Sequence, residues 1–218
     1  MVSDRRSLLL IGGGGHCRSV LDSVLSMGHY ERIGIVDRDL SAAVAGTPVV
    51  GTDEDLPDLR KNGWDAAFVS VGSVGSPVLR QKLFDLIRDA GYEIPGIIDP
   101  SAVVARDVVF GEGVFVGKNA VINAGSRIGD GAIINTGAII EHECRIGFFA
   151  HISPGAVLCG QVQVGDRSHV GAASVVRQTI RIGEDVMVGM GSVVTQEIPD
   201  RTEAYGNPCR VVGAWACM

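Results

Sequence analysis

Glu141-His142-Glu143-Cys144 sets an imidazole between two carboxylates and is the chain's clearest candidate for acid–base chemistry. A histidine with an ordinary pKa of about 6.5 takes a proton from an amine or hydroxyl near neutral pH, and an adjacent carboxylate stabilises the resulting imidazolium. The same quartet also reads as a solvated corner histidine with acids nearby. A second constellation is Gly12-Gly13-Gly14-Gly15-His16, which follows the apolar run Leu8 to Ile11. Such a glycine run presents backbone N–H groups and a helix start to a phosphate, or simply makes a tight turn. Asp37, at the end of a second apolar run, accepts hydrogen bonds from a ribose or a base edge, or closes a turn.

These groups need a frame, and most of it is a repeat. Stepping by six from Val104 meets Phe110, Val116, Ile122, Ile128, Ile134, Ile140, Ile146, Ile152, Leu158, Val164, Val170, Val176, Ile182, Val188 and Val194, every one aliphatic or Phe. Four residues after many of them stands a small residue, such as Ala120, Ser126, Ala132, Cys144, Ala150 and Ser168. Both registers point inward, since residues two apart on a strand share a face. A six-residue period fits very short strands joined at tight corners, three to a coil of about eighteen residues. Glycine directly after the aliphatic position, as at 111, 129, 147 and 165, is expected where a corner wants freedom from steric limits. The coil length stacks His151 on His169, and Pro154, Ala172 and Met190 in another column, about 4.8 Å per step. Either column lines a groove for an extended ligand or is plain exposed surface.

Ahead of the repeat, strand and helix patterns alternate. Strands are expected at Ser7 to Ile11, Ile33 to Val36 and Ala66 to Val71. Helices are expected from the glycine run to near Gly28, over Leu56 to Lys61, and through Leu79, Leu83, Leu86 and Ile87. That order predicts an α/β unit, a half-Rossmann domain over residues 1–98, followed by a parallel β-helix over residues 99–218. Cys17 stands where the dinucleotide fingerprint wants its third glycine, which disfavours an NAD enzyme. After Pro199 the repeat stops, and Gly206-Asn207-Pro208-Cys209-Arg210 is expected to be a polar loop before a short tail.

A net charge of −6 argues against a nucleic-acid surface. No run reaches the length of a membrane span or a signal-peptide core, so the expectation is a cytoplasmic protein. Cysteines 17, 144, 159, 209 and 217 are odd in number and lack a C-x-x-C pair, which favours reduced thiols over disulfides or a metal site.

Gly12 to His16, Val36-Asp37, Asn135-Thr136, Glu141 to Cys144, Phe149 to Gly155 and Gly206 to Arg210 together resemble the sialic-acid O-acetyltransferase and nucleotide-amino-sugar N-acetyltransferase family. The resemblance implies a left-handed β-helix, a homotrimer with sites between subunits, and acetyl-CoA as cosubstrate. It makes His142 the general base and Glu143 the group that raises its basicity. It assigns His151, the backbone at Ala172 and Met190, and Arg210 to acetyl-CoA, and Gly14, Gly15, His16 and Asp37 to a nucleotide-linked amino-sugar. Cys209 and Arg210 replace the family's usual Ala and Lys. The function it implies is N-acetylation of a sugar 4-amino group for cell-surface polysaccharide synthesis, with no metal. The alternatives are O-acetylation of sialic acid or another small hydroxylated acceptor, and a non-catalytic sugar-nucleotide-binding scaffold, which the intact Glu141-His142-Glu143 disfavours.

Overall fold

The computed structural model describes residues 7–215, so Cys217 lies outside it. Strand β1 (Ser7–Ile11) is buried along its whole length, as an apolar strand covered on both faces must be. The glycine run then turns the chain into helix α1 (Gly15–Met27), whose apolar spacing buries Cys17, Val20, Leu21 and Val24 and which ends on Gly28 in the left-handed region. Strand β2 (Arg32–Val36) returns parallel to β1. The next two strands, β3 (Ala43–Val44) and β4 (Thr47–Gly51), carried no periodic signal. They turn over Ala45 and Gly46, both at positive φ, and β4 extends the sheet as a parallel neighbour of β2. Helix α2 (Leu56–Lys61), strand β5 (Ala66–Val69) and helix α3 (Val78–Asp89) complete an α/β unit with sheet order β3-β4-β2-β1-β5. The expected strand to Val71 stops at Val69, where the Ser70 hydroxyl bonds the carbonyls of Ile11 and Gly12 and the chain turns out of the ladder.

From Val103–Val104 to Val193–Val194 the chain forms two-residue strands at every sixth position, and each ends on one of the sixteen predicted aliphatic or Phe residues. They wind into a left-handed parallel β-helix with three sheet faces. The second residue of each strand points in, and the small register shares that core: Ala120, Ser126, Ala132, Ala138, Cys144 and Ala150 are all fully buried. The first residue of each strand points out, so each face has its own chemistry. One presents Val103, Val121, Ile139, Val157, Val175 and Val193. The second presents Val109, Arg127, Arg145, Gln163 and Arg181. The third presents Ile97, Phe115, Ile133, His151, His169 and Met187.

Two details correct the expectations. The glycines directly after the aliphatic positions are not at positive φ; a Cβ there would collide with the next coil, as at Gly165 (2.5 Å from Gly183 C) and Gly183 (2.6 Å from Asp200 N). The left-handed corner lies two residues further on, and it is filled by Gly113, Asn119, Gly125, Gly131, Gly137, Glu143 and Phe149 in successive turns. The expected polar loop is present as the turn at 206–209, but a strand and not a tail follows it. Thr202–Tyr205 joins the third face beside Met187–Val188, and Arg210–Ala214 folds back antiparallel on it.

Candidate functional site

His142 projects from the corner between the valine face and the arginine face, just after Ile139–Ile140 and before Arg145–Ile146. Its imidazole is 58% exposed, and Nδ1 lies 3.2 Å from Glu143 Oε2. The left-handed backbone at Glu143 (φ 59°) turns that carboxylate back toward the ring. Glu143 also accepts from Gln161 Nε2 at 3.0 Å, and the hydrogen bonds from Gln161 and then His142 hold its carboxyl below the ordinary range. Glu141 takes a different partner, Asn123 Nδ2 at 3.0 Å. With Nδ1 directed at a carboxylate, the Nδ1–H form is favoured and Nε2 carries the basic lone pair. One coil on, Gly160 leaves room for that nitrogen: a Cβ there would stand 2.5 Å from Nε2. Cys144 is no nucleophile, since burial pushes its thiol up to about 11.

The α/β unit covers the third face, and that decides the state of the two stacked histidines. They pair in register with ring centres 4.8 Å apart, but both are buried, not exposed surface, at 8% and 6% accessibility. Burial, then the neighbouring His169, holds His151 down at about 3, and burial holds His169 at about 4, so both are neutral at ordinary pH. His151 Nδ1 meets the Ser73 carbonyl at 2.8 Å and Nε2 meets Asn135 Nδ2 at 3.1 Å. Beside them runs an apolar groove of about 460 Å³ lined by Val74, Pro154, Ala172, Met187, Met190 and Trp215. The structure therefore brings His151, Ala172 and Met190 to one groove. The N–H groups of Ala172 and Met190 donate to no carbonyl among the described residues, while their coil neighbours Ala173 and Gly191 donate to Pro154 and Ala172. Arg210 is not among the groove's residues; it is exposed on the final hairpin, with Nη1 on the carbonyl of Cys209 at 2.9 Å.

Gly14 caps α1 and Gly15 begins it, both exposed and with nothing within 4 Å of where a Cβ would stand. Asp37 Oδ2 accepts the Gly13 N–H at 2.6 Å, and that bond, ahead of its others, keeps the carboxyl below its usual value. A crevice of about 180 Å³ opens beside Asp37, bounded by Gly12, Arg38, Asp53 and Val71 at the carboxyl ends of the strands, the usual ligand position of an open parallel sheet. His16 points the other way, into the seam, edge-on to Phe115 at 5.1 Å; burial, then Arg80, lowers it to about 4.

Gly160, Gln161, Asn123, Ser73 and Arg80 were not singled out from the sequence. Three of them were within reach, since Asn123 and Gly160 lie one coil from Glu141 and His142, and Gln161 one coil from Glu143. The other two belong to the α/β unit and meet the coil only in three dimensions. In a three-sided coil the His142 corner lies opposite the face that carries His151 and the groove, so a single chain keeps His142 and the groove apart.

A family model described as the PglD N-terminal domain matches residues 7–87, one described as the GMPPB C-terminal domain matches residues 93–178, and one described as the hexapeptide repeat of succinyl-transferase matches residues 161–196. The chain is 44% identical to PerB of Caulobacter crescentus, solved with CoA and GDP-perosamine, over 95% of this chain and 97% of that one, with a TM-score of 0.89. Variants of perosamine N-acetyltransferase from that organism, with Asn or Ala at one histidine, were solved with the same two ligands. It is 35% identical to the acetyltransferase domain of PglB from Neisseria gonorrhoeae, solved with acetyl coenzyme A, over 95% of this chain and 100% of that one, with a TM-score of 0.90. No curated protein matches the chain.

Proposed function

The chain belongs to the nucleotide-amino-sugar N-acetyltransferase family, and from that premise we propose that it moves the acetyl group of acetyl-CoA onto the 4-amino group of a nucleotide-linked dideoxy amino-sugar. The observation that carries this reading is His142, tied at Nδ1 to Glu143 with Nε2 open above Gly160. Relatives named for N-acetyl transfer support an amine acceptor over the hydroxyl of a sialic acid. The sugar nitrogen attacks the thioester carbon, and His142 Nε2 takes the proton it sheds. Backbone N–H groups stabilise the oxyanion. When the C–S bond breaks, the electron pair leaves with sulfur, and the imidazolium returns its proton to the thiolate. Glu143 stabilises the charged ring between those steps.

The pantetheine arm of acetyl-CoA is an extended, mostly apolar chain with amide acceptors, and the groove beside His151 suits it. Its wall is apolar, and the free N–H groups of Ala172 and Met190 meet the arm's carbonyls. Arg210 offers charge to the cofactor's phosphates. Gly14, Gly15 and the backbone N–H of His16, whose ring is turned into the seam, hold the nucleotide-sugar from the α1 end of the α/β unit of residues 1–98, and Asp37 holds it from the crevice.

The assembly we propose is a homotrimer. The valine face is a continuous aliphatic row, with Val103 and Val175 exposed and its other members half-buried in one chain, and turning it inward brings the His142 corner of one subunit to the groove of the next. No helix among the described residues is long and apolar enough to cross a membrane; we place the reaction in the cytoplasm, feeding cell-surface polysaccharide synthesis.

The test is His142→Ala assayed for thiol release with a panel of GDP-, UDP- and dTDP-linked 4-amino-sugars. We expect kcat to fall by roughly 10²–10⁴-fold with CoA affinity unchanged. Wild-type turnover in that variant removes His142 from the mechanism, and no turnover of any panel member by the native chain removes the acceptor class.

A further inference from the structure

Three buried side-chain nitrogens have no hydrogen-bond partner among the described residues: His16 Nε2, Arg80 Nε and His169 Nδ1. All three lie at the seam where the α/β unit meets the coil. Arg80 is the most unusual of them. It is 4% exposed, burial lowers it only to about 10, so it is a cation at neutral pH, and no carboxylate pairs with it among the described residues. A buried unpaired charge is costly and persists only where its contacts hold it. Nη2 donates to the Gly131 carbonyl on the coil, Nη1 donates to Ser73 Oγ at 3.3 Å, and the guanidinium lies 5.8 Å from the Phe149 ring.

Ser73 passes that hold onward. It lies in the 70–77 connection between β5 and α3, and its carbonyl meets His151 Nδ1 at 2.8 Å. A carbonyl only accepts, so the His151 proton is on Nδ1, and Nε2 takes the Asn135 N–H at 3.1 Å. Asn135 is itself oriented by the Thr136 N–H, which donates to its Oδ1 at 2.8 Å. The same connection gives Val71 to the crevice beside Asp37 and Val74 to the groove beside His151.

We infer that Arg80 is a positioning residue: by pinning Ser73 against Gly131 and Phe149 it holds the 70–77 connection on the coil and keeps His151 in its Nδ1–H form at the groove wall. An arginine is required because its planar fork reaches Gly131 and Ser73 together, which a lysine ammonium on one stem does not. The wall of the groove is thereby set from the α/β unit and not from the coil alone. Only the affinity half of the test below rests on the acyl-CoA reading of the groove.

The experiment compares imidazole nitrogen NMR spectra of the native full chain with those of Arg80→Met, Arg80→Lys and Ser73→Ala, alongside calorimetric titration with coenzyme A. The native His151 should show one protonated Nδ1 and a lone-pair Nε2. Both Arg80 variants should show mixed tautomers at His151 with the His142 signals unmoved, and coenzyme A binding should weaken by about tenfold. Ser73→Ala keeps the carbonyl and loses only the anchor, so a smaller weakening of about threefold with the same tautomer mixing is expected. A folded Arg80→Met chain with a native His151 spectrum and native affinity overturns the inference. Should that variant fail to fold, an unchanged His151 spectrum in Ser73→Ala overturns it equally. If the native chain binds no coenzyme A, the acyl-CoA reading falls, and the tautomer comparison still decides the role of Arg80.

Discussion

Replacing Gly160 by Ala adds one methyl group under the proposed base. The new Cβ would stand 2.5 Å from His142 Nε2 and 2.6 Å from Cε1, against an ordinary contact of about 3.5 Å, so the ring must retreat by about 1 Å. The Nδ1 to Glu143 Oε2 distance is already 3.2 Å, near the upper limit for a hydrogen bond, and that displacement breaks it. A misplacement of about 1 Å is worth roughly 10²-fold in rate. Stability should change by only about 1 kcal/mol or less, because His142 is exposed and swings outward, and because Gly160 does not use the left-handed backbone that alanine resists. The assay is steady-state kcat and KM for both substrates together with a thermal melt. Gly63→Ala is the control: its φ of +81° makes alanine strained with no side chain nearby, so it should lose about 1–2 kcal/mol of stability and keep kcat. A Gly160→Ala enzyme with native kcat refutes the placement of the base.

Acid should unfold the chain through its buried histidines. Against about 6.5 in the unfolded chain, His16 and His169 sit at about 4 and His151 at about 3. Above pH 6.5 their contribution is flat. As pH falls toward 4 the unfolded state takes up protons the folded state refuses, and stability drops by up to about 4 kcal/mol per pH unit for the three groups. Urea midpoints that stay constant from pH 8 to pH 5 would contradict this. Asp37→Ala removes the carboxylate that we propose accepts hydrogen bonds from the ribose or base of the nucleotide-sugar; losing a charge-assisted hydrogen bond of about 1.5–3 kcal/mol should raise KM for that substrate roughly 10- to 150-fold. KM for acetyl-CoA should stay put, and equal rises in both constants would show a general loss of structure instead. Val157→Glu puts a charge in the middle of the valine face and should yield monomers without turnover; light scattering that still reports a trimer would rule out that face as the interface.

The coil was legible because its signal is local and repeated. Each turn buries the same two positions, so the six-residue spacing from Val104 to Val194 predicts sixteen strands and the stacking of His151 on His169. The strand and helix order of the α/β unit was legible for a similar reason, apart from β3, only two residues long, and β4, where Pro48 interrupts the strand pattern. The chemistry of the faces was also present in the letters, since eighteen-residue steps align Val121, Ile139 and Val157, and align Arg127 with Arg145. Even so, a column of like residues does not say what covers it.

Everything that depends on two distant segments meeting required the fold. Nothing about His151 by itself distinguishes an exposed imidazole from a buried one with a pKa of about 3. Burial beneath the α/β unit, then His169, drives it down, while the Ser73 carbonyl, 78 residues away, reaches its Nδ1 and opposes the drop. Arg80 is one charge on an amphipathic helix until Gly131 and Phe149 close around it. The family motif named His142, but only the next coil shows that a side chain at Gly160 would displace its ring. Local periodicity determined which residues face inward, because burial in a regular coil is settled within a few residues. Tertiary structure decided which outward residues meet one another, because those contacts depend on how the α/β unit is seated on the coil.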